Sequence, residues 1–259
     1  NPCATIKIVE MFKSFDTDPK RSKQPITANA LKAICDDLSD DDPDDVTFKA
    51  VVMMMFTFLM RSRECLGDGV NTDVDQCLKF GDIMLARNGV GIPRGQSVLE
   101  ADEVYMRFKV HKTDQSGSKK VLLLLPQIEK GDPDEKYCLV RLIKIMAKLR
   151  PGVMTEKDRF FATLSNGKVL SKRTVAEVLK NQAEKMGLDR SIWSVISLRE
   201  GGASAMYDAG FSAEDIKMRG RWKSDCWKRY VWEGRGRAKG LNKKLLGKSV
   251  SLLATQMQA

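Results

Sequence analysis

The chain has 259 residues, of which 42% are hydrophobic and 30% charged, and its formal net charge is +10. These values are typical of a folded globular protein with enough residues for a sizeable core, and they exclude a disordered polyelectrolyte. The longest apolar stretch, residues 50–60, is too short to cross a bilayer, so no membrane partner is expected.

Cysteine and histidine are too sparse or too scattered for several kinds of site. Six cysteines occur without a Cys-x-x-Cys pair, and the single histidine is His111. This pattern argues against a zinc site, a disulfide framework and a Ser-His-Asp hydrolase. We therefore expect no metal and no cofactor, and a reducing compartment.

The first part of the chain predicts a polar lead-in followed by two helices. Residues 1–24 end in a polar, proline-containing stretch and are interpreted as a linker or the remnant of an upstream domain. "ITANALKAICDDL" predicts a short helix with Thr27 as its N-cap. After a loop with seven aspartates at 36–45, residues 46–60 predict a largely buried helix.

The middle of the chain changes to a strand pattern. Residues 77–126 contain near-alternating apolar segments, and "KTDQSGSKK" has the composition of a hairpin turn, so a small antiparallel sheet is predicted there. Beyond it the pattern is helical, with Gly210 and Gly220 in positions typical of helix C-terminal glycines. Helices are predicted at about 136–149, 171–186, 199–209, 213–219 and 225–232. Residues 241–259 form an amphipathic tail, and the predicted class is α+β, mainly α-helical with a small antiparallel β-sheet.

Positive charge is concentrated near the C-terminus. Residues 199–248 contain 13 Lys or Arg against 6 Asp or Glu. Such a region is typical of a protein that binds a polyanion, and it is equally typical of a solvated basic surface. Charge alone therefore does not show whether this region has a polyanionic partner.

Three stretches carry the residues of chemical interest. "FLMRSREC" holds Arg61 and Glu64, the hairpin holds Lys112, and "SLREGGASAMYDAG" with "GRWKSDCWKRY" holds Arg199, Trp222 and Tyr230. Taken singly, they fit an ion pair within a helix, a solvated lysine and packed aromatic residues.

Their order resembles the catalytic domain of the tyrosine recombinase (phage integrase) family: Arg-x-x-Glu, a hairpin Lys, x-x-Leu-Arg, Gly-x-Trp and Tyr. "GGA" after the second arginine and "GRW" before the tyrosine are similar to the eukaryotic DIRS-like and Crypton-like mobile elements. A type IB topoisomerase shares the chemistry, but the Gly-Gly and "KTDQ" features favour the recombinases.

The resemblance implies a catalytic domain over residues 25–240 that cleaves and rejoins double-stranded DNA through a 3′-phosphotyrosine. Arg61 and Arg199 would clamp the scissile phosphate, a role that suits the permanently charged guanidinium fork. Lys112 would be the general acid and Tyr230 the nucleophile. Trp222 would contact the phosphate, and Glu64 would support the arginine clamp. The remaining predicted DNA-binding residues are Arg219, Arg221, Lys223, Lys228 and Arg229.

The resemblance further implies a homotetramer on two duplexes. The tail at 241–259 would be exchanged between protomers or would pack on its own domain. The expected location is the nucleus, or the host-cell cytoplasm if the element is viral or prokaryotic.

One position departs from the family pattern. Ile196 lies three residues before Arg199, where the family usually has His or Lys. Because isoleucine neither accepts a proton nor binds phosphate, the alternative is a domesticated, catalytically weak or dead descendant that acts as a DNA-binding protein.

Overall fold

The computed structural model describes residues 23–67, 77–108 and 121–232. Lys112 and the tail at 241–259 lie outside these residues. None of the helices found within these ranges is long and apolar enough to span a bilayer.

Helices dominate the described part of the chain, and the predicted α+β class is confirmed. The helices are α1 (Ala28–Asp36), α2 (Pro43–Thr57), α3 (Ser62–Cys65), α4 (Leu139–Leu149), α5 (Lys172–Lys185), α6 (Val195–Asp208) and α7 (Ala213–Gly220). Short 3₁₀ helices occur at Phe80–Asp82, Glu135–Tyr137, Val153–Thr155 and Asp225–Tyr230.

The small sheet has the strand order β2-β1-β3-β4 and is antiparallel throughout. Its strands are β1 (Ile83–Arg87), β2 (Val90–Gly91), β3 (Glu103–Phe108) and β4 (Val121–Pro126). Alternate residues of β3, namely Val104, Met106 and Phe108, are buried, as expected for a sheet with one face on the core.

Helix α2 lies at the centre of the protein. It begins at the N-cap Asp42, whose carboxylate accepts from two backbone N–H groups, and Pro43 occupies its first turn. Its apolar residues surround the helix, and it packs against both α4 and α6. A helix that is apolar all round belongs in a core, so the end of α2 is held firmly in the interior.

The aspartate-rich loop before α2 has a structural role. Asp40 accepts from Lys49 at 2.8 Å and Arg141 at 2.9 Å, and Asp44 accepts from Arg150 at 2.8 Å. These carboxylates tie the loop to α2 and α4, so much of its negative charge is paired inside the fold.

Two adjacent glycines let α6 approach both the segment before α1 and the end of α2 closely. A Cβ atom on Gly201 would lie 2.0 Å from the carbonyl oxygen of Ile26, and one on Gly202 would lie 2.1 Å from that of Phe56. Backbone atoms this close cannot move aside for a Cβ atom. The Gly-Gly pair therefore determines how closely α6, including Arg199, packs against these segments.

Several helices differ from the sequence-based prediction. Helix α2 spans Pro43–Thr57 rather than 46–60, and α4 begins at Leu139 rather than near residue 136. Helix α6 begins at Val195 rather than near residue 199, and the segment ending at Tyr230 is a 3₁₀ helix. Gly210 has the positive φ expected of a C-terminal glycine, but at the end of α7 Arg221, not Gly220, has the left-handed conformation. Gly220 is needed for another reason: a Cβ atom there would lie 1.8 Å from the Trp222 ring.

Candidate active site

The chain turns at Phe58 and Leu59, where α2 ends, and this corner lies against the arginine side chains of the site. Leu59 has a φ of +49°, a left-handed conformation that is costly for a residue with a branched side chain. Its carbonyl oxygen accepts hydrogen bonds from the Arg199 guanidinium and from Nη2 of Arg221, the latter at 3.3 Å. Two charged donors therefore converge on the carbonyl of this corner.

Arg61 and Glu64 follow the corner as one unit. The Arg61 backbone N–H donates to Oε2 of Glu64 at 2.8 Å, and Nη1 of Arg61 donates to Oε1 at 3.1 Å. Glu64 is 4% exposed, whereas the Arg61 side chain is 25% exposed. Arg61 is therefore the arginine of this cluster that solvent reaches.

Arg199 is the most enclosed of the predicted site residues. It is 0% exposed, its Nη1 donates to the Leu59 carbonyl, and its Nη2 donates to the Gly220 carbonyl at 2.7 Å. Its Nε has no hydrogen-bond partner among the described residues. Arg199 thus links α6 to the ends of α2 and α7.

Two aromatic rings cover the Arg199 guanidinium. Its Cζ lies 4.3 Å from the centre of the Trp222 ring and 5.5 Å from that of Tyr230. The two rings are 5.0 Å apart and inclined at 43°. This geometry allows cation–π attraction to both rings. It also means that the predicted clamp residue is closed off from solvent in this conformation.

Arg221 occupies the interior rather than the predicted DNA-binding surface. Its side chain is 0% exposed, and its Nη2 donates to Oε2 of Glu64 at 2.6 Å. Nη1 donates to the Phe58 carbonyl at 2.9 Å, and Cζ lies 3.9 Å from the centre of the Phe108 ring. A side chain paired in this way does not reach a DNA backbone, so the prediction that Arg221 contacts DNA is not compatible with its position.

The cluster holds three guanidinium groups around one carboxylate. Burial alone would raise the pKa of Glu64, but Arg221, Arg199 and Arg61 together lower it, so the carboxylate is ionised. Burial, then the like charges of Arg61 and Arg221, lowers the pKa of Arg199 to about 9, against the opposing effect of Glu64. The cluster therefore has excess positive charge that a further anion would stabilise.

Tyr230 is held at the end of its 3₁₀ helix by α6. It is half-buried, and Oγ of Ser204 donates to its carbonyl at 3.4 Å while accepting from the Trp232 backbone N–H at 3.0 Å. Trp227, one turn earlier, is 6% exposed and packs against Tyr207. The segment with the predicted nucleophile is thus anchored on both sides of Val231.

The other predicted DNA-binding residues lie around this 3₁₀ helix. Lys223, Lys228 and Arg229 are exposed, and Lys228 also donates to Asp225 at 2.8 Å. Arg219 is half-buried, and its Nη1 donates to the Leu124 carbonyl at 3.1 Å. The exposed side chains form a basic rim beside Tyr230.

Ile196 lies in the first turn of α6, three residues before Arg199, and is 37% exposed. The position that departs from the family pattern therefore faces solvent with an apolar side chain.

Sequence positions far apart in the chain meet in this site. The structure brings together Arg61, Glu64, Arg199, Trp222 and Tyr230, and it does not describe Lys112. Sequence reasoning missed the Leu59 carbonyl, the interior role of Arg221 and the Ser204 anchor; of these, only Arg221 had a signal, its place in "GRW". Within the described ranges, no group of three or more His, Cys, Asp or Glu is placed to hold a metal ion.

Comparisons with known proteins support the fold. No protein-family model matches the sequence, and no curated protein sequence matches it. Among solved structures, a post-cleavage complex of the XerH site-specific recombinase with its palindromic difH substrate aligns with a TM-score of 0.54 and 14% identity. The alignment covers 84% of this chain and 51% of that one, so the chain spans about half the length of the XerH chain.

Two DNA complexes of the Tn1549 transposon integrase also align, one with a circular intermediate and one with the transposon right end. Their TM-scores are 0.45 and 0.47, with 16% identity, coverage of 89% of this chain, and coverage of 67% and 68% of theirs. From the XerH alignment we conclude that this chain has the fold of a site-specific recombinase.

Proposed function

We propose that residues 25–240 form the catalytic domain of a tyrosine recombinase that cuts and rejoins DNA strands. One observation carries the proposal: the Arg199 guanidinium lies against both Trp222 and Tyr230, while Glu64 joins Arg61 to the same cluster. A packing cluster alone has little need for three guanidinium groups around one carboxylate, since buried unneutralised charge is costly. A site for a phosphodiester uses such an excess of positive charge to stabilise the anion.

In the proposed reaction, the Tyr230 hydroxyl releases its proton to solvent, its oxygen attacks the scissile phosphorus, and the bond to the 5′ oxygen breaks. The strand keeps its 3′ phosphate as a phosphotyrosine, and the leaving 5′ oxygen takes a proton, which Lys112 would supply. Arg61 and Arg199 would stabilise the negative charge on the non-bridging oxygens. Because the phosphotyrosine retains a phosphodiester bond, attack by a 5′ hydroxyl rejoins the strand without ATP.

The closed position of Arg199 implies a rearrangement before this step. Arg61 is partly exposed, so a DNA phosphate would meet it first. The Trp222 and Tyr230 rings must then shift from the face of Arg199, and the phosphate would take over part of the stabilisation they provide. We infer that DNA binding drives this opening, since the anion neutralises the excess charge of the cluster.

The finer assignments rest on the sequence resemblance. We propose a eukaryotic DIRS-like or Crypton-like mobile element as the source, the nucleus as the location, and a homotetramer on two duplexes as the working assembly. The exposed Lys223, Lys228 and Arg229 would contact DNA phosphates beside the cut.

A second candidate function is DNA binding without cleavage. It is favoured by the solvent-facing Ile196 and by the two main-chain carbonyls that already occupy the terminal nitrogens of Arg199. A descendant that has lost cleavage could keep the basic rim and a permanently closed site.

The two functions are separated by a search for a covalent adduct. The full-length protein is incubated with a pool of nicked duplexes of randomised sequence, and protein–DNA complexes that survive denaturation are sequenced. The proposed function predicts an adduct on a defined sequence that Tyr230→Phe abolishes. Failure to trap any adduct, with salt-sensitive DNA binding unchanged in Tyr230→Phe and no cleavage gained in Ile196→His, would establish the second function instead.

A further inference from the structure

Arg221 connects the end of α2, helix α3 and the end of β3. It binds the Glu64 carboxylate, the carbonyls of Phe58 and Leu59 at the end of α2, and the face of Phe108 at the end of β3. The next residue, Trp222, covers Arg199.

The shape of the guanidinium group explains why an arginine is required. Its planar fork donates in several fixed directions, and here it reaches a carboxylate and two carbonyls while its face stacks on an aromatic ring. A lysine ammonium is a point charge without a stacking face, so it cannot hold all these groups in one geometry.

The groups that Arg221 binds are the same groups that orient the two clamp arginines. Oε1 of Glu64 accepts from the Arg61 side chain, and Oε2 accepts from both the Arg61 backbone N–H and Arg221. The Leu59 carbonyl accepts from both Arg199 and Arg221. Loss of Arg221 would leave Glu64 and the Leu59 corner free to shift, and both clamp arginines would shift with them.

We propose that Arg221 is the positioning residue of the arginine clamp: it does not touch the phosphate, and it sets the geometry of Arg61 and Arg199 through Glu64 and the Leu59 carbonyl. This proposal rests on the proposed function, because the clamp is defined by its action on a scissile phosphate.

A purely structural arginine would give a different result from a positioning one. Arg150 provides the matched control, since it also donates to a carboxylate and two carbonyls, those of Asp44, Thr163 and Pro43. Its contacts lie outside the site. Arg150→Lys should therefore lower thermal stability without slowing adduct formation.

The experiment compares two substrates in single-turnover adduct formation at saturating protein. One is the nicked duplex selected above, and the other has a methylphosphonate at the scissile position, which removes the non-bridging charge that the clamp stabilises. In Arg221→Lys we expect adduct formation on the ordinary phosphate to fall roughly 100-fold, the effect of a displacement of about 1 Å. On the methylphosphonate the fall should be less than about fivefold, because a neutral centre has little need of the clamp.

Each outcome bears on a specific claim. If wild type forms no adduct on the ordinary phosphate, the proposed function fails and this inference fails with it. If wild type is active and Arg221→Lys is slowed equally on both substrates, or not at all, Arg221 is not a clamp-positioning residue although the proposed function stands.

A second variant covers the case in which Arg221→Lys does not fold. Glu64→Gln keeps the shape of the side chain and removes the charge through which Arg221 acts, so it should show the same preference for the neutral substrate. Where both single variants fold, the double variant should be no slower than the slower single one, since residues acting as a unit are not additive. Equal slowing of both substrates by Glu64→Gln, or additive losses, would overturn the proposal.

Discussion

The Trp222 ring lies 4.3 Å from the Arg199 guanidinium and, together with Tyr230, encloses it completely. The aromatic faces stabilise a cation whose pKa burial lowers to about 9. The predicted nucleophile and the predicted clamp residue Arg199 are therefore in contact with each other.

Removal of the Trp222 ring should uncover Arg199. In Trp222→Ala we expect a loss of about 3–5 kcal/mol in the free energy of unfolding, from the cavity that is left, measured by urea denaturation. Phenylglyoxal should modify Arg199 in this variant and not in wild type, as read by mass spectrometry. Trp222→Phe is the control, since it keeps an aromatic face; equal protection of Arg199 in the alanine variant would show that the ring is not the cover.

Alanine in place of Gly202 should destabilise the protein, although alanine usually stabilises a helix relative to glycine. Gly→Ala normally stabilises a helix interior by about 1 kcal/mol. At Gly202 the new Cβ would lie 2.1 Å from the Phe56 carbonyl oxygen and 2.6 Å from the Leu59 side chain, so we expect a loss of about 1–3 kcal/mol. Asn181→Ala on the exposed face of α5 should change stability by less than about 0.5 kcal/mol. A more stable Gly202→Ala would contradict the packing described for α6.

The Glu64 carboxylate should make stability depend on acid pH. Its pKa is below the ordinary value in the folded protein, so the stability it contributes is present above about pH 4.5 and is lost as the pH falls through the lower folded value. Glu64→Gln should cost about 3–5 kcal/mol near neutral pH, as for other broken buried pairs. The gap to wild type, measured by denaturation at a series of pH values, should narrow below pH 4.5.

An exposed acid outside the cluster provides the comparison. Glu214→Gln, in the first turn of α7, should leave the unfolding free energy within about 0.5 kcal/mol of wild type at neutral pH. A Glu64→Gln gap that stays constant across the acid range would show that Glu64 does not contribute as a carboxylate.

Ser204 should matter more for the reaction than for the fold. Ser204→Ala removes the hydroxyl that binds the Tyr230 carbonyl and the Trp232 N–H, which we expect to cost about 1 kcal/mol of stability. Because the nucleophile's segment is then less constrained, adduct formation should slow roughly tenfold. Ser171→Ala removes the N-cap of α5 at a similar cost, about 1 kcal/mol, and should not change the rate. Equal rates in the two variants would rule out the anchoring role.

The basic rim should determine how DNA affinity depends on salt. The double variant Lys223→Ala/Arg229→Ala should bind DNA more weakly and should reduce the slope of log affinity against log salt by about 2, one for each phosphate contact. Lys136→Ala is the control, since Asp36 already pairs with that ammonium group at 2.6 Å. An unchanged slope in the double variant would place the DNA elsewhere.

The sequence was sufficient to predict the fold class because periodicity is a local property. The buried α2 and the antiparallel strands both follow from it. The position of Arg221 could not be predicted from its sequence neighbours. Its basic neighbours suggested a DNA-binding surface, but its buried side chain pairs with Glu64, 157 residues earlier in the chain. The closed position of Arg199 depends in the same way on a carbonyl 140 residues away. A local pattern such as "GRW" can mark Arg221, but it does not show which distant group the side chain contacts.

Each residue of the tripeptide "GRW" at 220–222 has a distinct structural role. Gly220 leaves room for the tryptophan ring, Arg221 holds Glu64, and Trp222 covers Arg199. In a set of related chains, Arg221 should therefore vary together with Glu64, and Gly220 should be kept only where Trp222 is kept. Such paired inheritance would make the motif a marker of this particular site architecture rather than of the nucleophile that follows it.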